Sequence, residues 1–295
     1  MRNIIAILIS LFTFGLSAQQ METYTYAIKR NDTLKLDVFT PENIKKTDTL
    51  PVLLWMHGGG FSGSHRAYQD DKKLVQYVAK EQNYIGVSID YRLLRQNTET
   101  GFGCDCTKDE KLETFKQAVI DYLDAAKYLV EHADKLQIDT TKIVAGGSSA
   151  GAEGILNAVY MREYFVDNTK DYNDVSFAGI FSCAGALVDA SYITEDNAVP
   201  SVLFHGTEDQ LVPFDNAPHH YCESTKDGYI ILDGSNIITQ KLSELETSFY
   251  FNIVKGAQHE IATIPFSDLD KVFNFFKQTV INNEVIQTKI IKTKL

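Results

Sequence analysis

The run Lys142-Ile143-Val144-Ala145-Gly146-Gly147-Ser148-Ser149-Ala150-Gly151-Ala152-Glu153-Gly154 constrains this chain more than any other stretch. It opens with apolar, partly β-branched residues suited to a buried strand, passes through small residues, and continues into Ile155, Leu156 and Val159 at helical spacing. A strand that turns sharply into a helix holds its corner residue in a strained backbone conformation and lifts that side chain to the edge of the sheet. Only small neighbours leave room for this. Gly147, Ser149 and Gly151 fit the Gly-x-Ser-x-Gly pattern of such an elbow, with Ser149 at the corner. A glycine-rich loop matching three letters by accident would not bring a strand before it and a helix after it.

The flanking segments predict a frame for the elbow. Residues 24–29 and 34–39 read as an antiparallel hairpin around Arg30-Asn31-Asp32-Thr33. Residues 50–56 are a continuous apolar run of the kind buried in a central parallel strand, and residues 84–89, 177–183, 199–204 and 248–254 extend the series. Helical periodicity falls between them, over 68–80, through Leu112, Phe115, Val119, Tyr122, Ala126 and Leu129, and over 267–280. Ser235 is placed to cap a helix through Leu242, and the tail from Asn282 has no assignment. The alternation predicts an α/β fold with a mostly parallel sheet of about eight strands, helices on both faces and an N-terminal hairpin.

The strand over 50–56 runs into His57-Gly58-Gly59-Gly60. Acyl transfer builds negative charge on a carbonyl oxygen, and backbone N–H groups on a glycine-rich loop can point at that charge unobstructed. The amides of Gly59 and Gly60, with that of Ala150 after the serine, are the expected donors, and His57 is expected to anchor the loop. Serine is a weak nucleophile and needs a histidine base, itself oriented by a carboxylate. In elbow-containing sheets the acid and then the base follow the serine on loops after later strands. His259 directly follows the strand over 248–254, whereas His219 and His220 lie close after Asp209 and read as surface or substrate-rim residues. Asp209, four residues past His205-Gly206, is preferred to Glu208 and Asp215 as the acid.

His57-Gly58-Gly59-Gly60, Gly147-Ser148-Ser149-Ala150-Gly151, His205-Gly206-Thr207-Glu208-Asp209-Gln210-Leu211-Val212-Pro213 and His259 together resemble the α/β-hydrolase superfamily, in its carboxylesterase and hormone-sensitive-lipase-like branch. Asp90-Tyr91-Arg92-Leu93 is similar to that branch as well. The resemblance covers roughly residues 24–280. One departure is Ala152-Glu153-Gly154, where the family more usually has a second glycine, which bears on how closely the helix packs. The resemblance implies carboxylic-ester hydrolysis through Ser149, His259 and Asp209, with no cofactor or metal. Its expected substrates are small-molecule or saccharide-linked esters. A serine peptidase of the prolyl-oligopeptidase type would usually carry a large N-terminal propeller, and an inactive binding protein would have no need of all three residues. Tyr192, Tyr221 and Tyr229 are candidates for an aromatic wall, although core or rim packing is the commoner role at such spacings.

A net charge of -11 excludes nucleic acid and anionic membrane as natural partners. Residues 1–18 read as a signal peptide: Arg2, an apolar run too short to span a bilayer, then Ser17-Ala18. Export to the periplasm or medium is therefore expected, with no membrane association after cleavage and residues 19–295 as one catalytic domain; the sequence leaves the oligomeric state open. In an oxidising compartment the four cysteines can pair, and Cys183 with Cys222 is the expected bridge, each following a predicted strand at one end of the sheet. No well-spaced histidine or aspartate completes a metal site with them.

Overall fold

The computed structural model describes residues 20–42 and 44–294, so the predicted leader over 1–18 lies outside the described residues. In chain order the elements are β1 (Gln20–Lys29), β2 (Asp32–Thr40), β3 (Leu50–Met56), α1 (Gln69–Glu81), β4 (Ile85–Ile89), α2 (Lys108–Glu131), α3 (Ala133–Leu136), β5 (Ile138–Ser148), α4 (Ala150–Tyr160) and α5 (Arg162–Phe165). There follow β6 (Gly179–Cys183), β7 (Ala186–Leu187), β8 (Ser201–Gly206), β9 (Asn216–Pro218), β10 (Ile231–Gly234), α6 (Ser235–Glu244), β11 (Phe249–Lys255), α7 (Leu269–Phe276) and β12 (Gln287–Thr293).

Nine strands form the main sheet in the order β1-β2-β4-β3-β5-β6-β8-β11-β12, antiparallel at β1/β2 and β2/β4 and parallel elsewhere. The strand beyond the expected set is β12, formed by the tail that sequence pattern left unassigned; it pairs in parallel with β11 from Phe249↔Gln287 to Lys255↔Thr293. Register brings the carboxyl ends together, with Met56 opposite Gly147, Ser148 opposite Cys183 and Gly206 opposite Val254. Ligand sites of parallel sheets lie outside this edge, and the loops after β3, β5, β8 and β11 all open there.

Side chains leave the two faces of the sheet in alternation, so the central strands feed two cores. One packs Leu54, Met56, Ala145 and Leu203 against α2, α4 and α6 through Phe115, Tyr122, Ile155, Leu156 and Ile238. The other packs Trp55, Phe181 and Phe204 against α1 and α7 through Leu74, Val78, Val272 and Phe276. Helix α2 starts at a full capping box: Thr107 accepts from the amide of Glu110, and the Glu110 carboxylate accepts from the amide of Thr107. Ser235 is the first residue of α6 and not its cap; its hydroxyl is drawn inward to His205 Nδ1 at 2.8 Å and Gly185 O at 3.2 Å.

The cysteines pair differently from expectation. Cys104 bonds Cys222, with Cα atoms 5.3 Å apart, while Cys106 and Cys183 are free and buried. Cys183 ends β6 with its side chain in the core beneath α1 and α7, whereas the segment around Cys222 packs on the other face, beside α2. Ending at the same edge of the sheet does not put two residues on the same face of it. The partner comes instead from the irregular segment before α2. Backbone bonds from Lys108 to Asp227 and from Gly228 to Cys104 hold that segment against residues 222–228.

Candidate active site

Ser149 occupies the turn between β5 and α4 with φ 51° and ψ −124°, a strained region for a residue with a side chain. The glycines make the turn possible: a Cβ on Gly147 would lie 2.5 Å from Gly151 backbone, and one on Gly151 would lie 2.1 Å from the Met56 carbonyl. At the departure noted above, Gly154 faces the Met56 thioether, where a Cβ would lie 2.8 Å from the sulfur. Close packing of α4 on β3 is thus kept by Gly151 and Gly154.

The loop after β11 carries His259, whose Nδ1 lies 2.7 Å from Asp209 Oδ2 and whose Nε2 lies 2.7 Å from Ser149 Oγ. The carboxylate fixes the tautomer: Nδ1–H donates to Asp209, leaving Nε2 to accept from the serine hydroxyl. Asp209 is fully buried, and its other oxygen accepts from the amides of Leu211 and Val212 at 2.9 and 3.1 Å. Burial would push its carboxyl up, but the imidazoles of His205 and His259 outweigh it and hold the group well below the usual carboxylate range. The two rival acids are not part of this chain of contacts. Asp215 accepts from Asn236 Nδ2, and the backbone of Glu208 faces Ala257.

Gly59 and Gly60 line the same pocket as Ser149, Ala150 and His259, at φ +110° and +59°. Among the described residues, none of the amides of Gly59, Gly60 and Ala150 donates to another group of the chain. The loop that presents them is held from behind. His57 is buried, its Nδ1 bonds the Gly58 carbonyl at 2.7 Å, and burial pushes its imidazole down to about 4. Tyr91 stacks on that ring and donates to the His57 carbonyl at 3.0 Å. Its neighbours in Asp90-Tyr91-Arg92 are anchored by ion pairs, Asp90 to Arg66 and Arg92 to Asp121.

The pocket encloses about 360 Å³ and is completed by Phe102, Ser148, Glu153, Leu211, Val212, His219 and His220. Sequence pattern did not place Glu153 here; of the two readings given to His219 and His220, surface or substrate rim, the rim is the one compatible with their lining this pocket. His219 is not a surface residue: it is fully buried, with Nε2 3.3 Å from Glu153 Oε1. Tyr192, Tyr221 and Tyr229, weighed as an aromatic wall against the commoner core or rim packing, do not line this pocket. Tyr192 and Tyr229 line a separate cavity of about 370 Å³ with Met161 and Tyr164, and Tyr221 is exposed.

A family model described as BD-FAE matches residues 36–189, just over half of the chain. The chain belongs to the BD-FAE family. The match spans the His57-to-Gly60 loop and the Ser149 elbow and ends before Asp209 and His259. Among curated proteins, this BD-FAE member is 26% identical over 172 residues to the secreted triacylglycerol lipase LIP1 of Gibberella zeae, covering 57% of the present chain and 28% of that protein. It is 29% identical over 124 residues to carboxylesterase 1E of Rattus norvegicus, covering 42% of the chain and 20% of that protein. The chain therefore spans less than a third of either relative. Among solved structures, Thermogutta terrifontis esterase 2 phosphorylated by paraoxon superposes with a TM-score of 0.64 at 17% identity, over 91% of this chain and 96% of that one. That likeness establishes the α/β-hydrolase fold.

Proposed function

We propose that this protein is a serine-dependent carboxylic-ester hydrolase acting on small or saccharide-linked acyl esters, exported after loss of residues 1–18 and comprising one catalytic domain over 19–295. The observation that carries the reading is the unbroken relay from Asp209 through His259 to Ser149, with both links at 2.7 Å. In this reading Ser149 Oγ attacks the ester carbonyl carbon while His259 Nε2 takes the hydroxyl proton. The carbonyl oxygen becomes an oxyanion, which the amides of Gly59, Gly60 and Ala150 stabilise. Collapse expels the alcohol, which takes its proton from His259, and leaves an acyl group on Ser149. Water, deprotonated by His259, then releases the acid and restores the serine. Asp209 stays ionised throughout and stabilises the transient imidazolium. The relatives named as a secreted lipase and a carboxylesterase support both the chemistry and the export, and a pocket of about 360 Å³ supports a small acyl or alcohol moiety.

Two measurements test this. The mature protein should hydrolyse p-nitrophenyl acetate, and Ser149→Ala should abolish turnover with the circular dichroism spectrum unchanged. Paraoxon should add one diethylphosphoryl group to the native chain, mapped by peptide mass to Ser149, as the neighbouring esterase is phosphorylated by it. Full activity in Ser149→Ala, or a label on Ser148, would refute the assignment.

A further inference from the structure

The relay leaves a second carboxylate and a second imidazole in the pocket unused. Glu153 lies one helical turn beyond Ser149 on α4, is 1% exposed, and its Oε1 has no hydrogen-bond partner among the described residues. His219 is fully buried, and neither of its ring nitrogens has a hydrogen-bond partner among the described residues. The two groups approach to 3.3 Å, yet off the line a hydrogen bond requires, so proximity does not satisfy either of them. Three orphaned polar atoms in one buried patch are costly, and such groups call for a partner from outside the chain.

The surroundings hold the patch in place. The edge of Phe102 meets the His219 ring at 5.1 Å and Phe115 lies behind at 6.3 Å. The His219 amide donates to Ile230 O and its carbonyl accepts from the Cys222 amide. The Cys104–Cys222 bridge ties this segment to the loop bearing Phe102. His220 and Tyr221 follow at φ 56° and 49°, two consecutive residues in a region that favours glycine. A strained backbone over-determined by packing on both sides is characteristic of a built site.

We propose that Glu153 and His219 form a hydroxyl-recognition subsite, selecting esters that carry a neutral hydroxyl group on the acyl or alcohol side of the scissile bond. The inference rests on the ester-hydrolase reading given above. A carboxyl and an imidazole sharing one proton are neutral as a pair and offer both a donor and an acceptor, the complement of an alcohol O–H. Burial pushes the Glu153 carboxyl up to about 8 and the His219 imidazole well down, consistent with the proton residing on Glu153. Beside the patch the pocket is lined by apolar Phe102, Leu211 and Val212 and by His220, whose ring lies 4.3 Å from that of His219, and a substrate with hydrogen in place of hydroxyl would strand the Glu153–His219 pair.

Isosteric ester pairs test this on the full mature chain. Ethyl glycolate against ethyl propanoate probes the acyl side, and 2-hydroxyethyl acetate against propyl acetate probes the alcohol side. In one pair kcat/KM should favour the hydroxylated member, and Glu153→Leu should reduce that ratio about 10- to 100-fold, chiefly through KM, while Glu153→Gln, which keeps a donor and an acceptor, should retain most of it. The ratio cancels losses common to both substrates, and the comparison between enzymes cancels the intrinsic reactivity of each ester. Equal kcat/KM for both members of both pairs in the native enzyme would overturn the proposal without recourse to any variant. A ratio unmoved by Glu153→Leu would overturn it too. Hydrolysis of no ester together with no labelling by paraoxon would instead refute the underlying hydrolase reading.

Discussion

Asp209 with His259 and Glu153 with His219 are carboxylate–imidazole pairs serving the same pocket, built from the same two functional groups at 2.7 and 3.3 Å. Their protonation runs in opposite directions. Asp209 is as deeply buried as Glu153, but two backbone amides and the His259 ring donate to it, and its carboxyl is held down. Among the described residues nothing donates to Glu153 Oε1, and desolvation pushes that carboxyl up to about 8. Burial alone therefore does not decide the charge of a carboxylate; the count of aligned donors does. In the proposed reading the first pair is a charged device that steers a proton, the second a neutral one suited to holding a polar group.

The sharpest way to break the comparison is to neutralise each acid in turn. Asp209→Asn should lower kcat by about 10³- to 10⁴-fold, because the amide disturbs the tautomer of His259. Combining it with His259→Ala should cost little more than the worse single change, since members of a relay act as a unit. Glu153→Gln should lower kcat on an ester lacking a hydroxyl by less than about tenfold. Comparable losses from Asp209→Asn and Glu153→Gln would erase the distinction.

The disulfide separates the pairs by another route. Cys104 and Cys222 are 118 residues apart, and closing a loop of that length is worth about 4–5 kcal/mol in the chain-entropy model. Cys104→Ser combined with Cys222→Ser should lower Tm by roughly 10 °C. It should also weaken discrimination between the isosteric esters more than it slows hydrolysis of p-nitrophenyl acetate, because His219 rests on the bridged segments and Ser149 does not. Peptide mapping of unreduced protein checks the connectivity; a Cys183–Cys222 peptide would contradict it.

The smallest effect is a pH dependence of stability, with opposite signs for the two acids. The folded-state value of Glu153 lies above its unfolded one, so between about pH 4.5 and 8 the folded chain keeps a proton that the unfolded chain has released, and stability falls as pH rises through that window. The titratable groups bearing on Glu153 are His259, Lys111, Asp209 and His205. Glu153→Gln removes the penalty, and its Tm advantage over native protein should grow by a few degrees from pH 5 to pH 8. The folded-state value of Asp209 is depressed, so its contribution is present above the unfolded carboxylate value and is lost as pH falls below it. Thermal scans across pH 3–9 of native protein, Glu153→Gln and Asp209→Asn check both slopes.

Much of this was legible in the residues because it is local. The elbow, the glycine loop and the strand–loop order are written within a few positions of each other, and Ser149, Asp209 and His259, chosen on that basis, meet within hydrogen-bond distance. What escaped depends on contacts between distant segments. Glu153 and His219 are 66 positions apart, and nothing around His219 marks it as buried. The Cys104 bridge depends on which face of the sheet each cysteine occupies, and strand endings do not reveal that. Strand β12, where Lys289 and Lys292 flank Ile290 and Ile291, is an edge strand largely in solvent, and its apolar signal is correspondingly weak.

The position of the Cys104–Cys222 bond has a consequence for how the activity is acquired. It joins two peripheral loops and leaves the serine elbow, the glycine loop and the histidine loop free of covalent ties. A freshly made chain under reducing conditions can thus assemble the parts proposed to cut esters before the part proposed to choose among them is secured. If both proposals hold, selectivity, and not the capacity for hydrolysis, becomes the property that records whether the chain has reached an oxidising place.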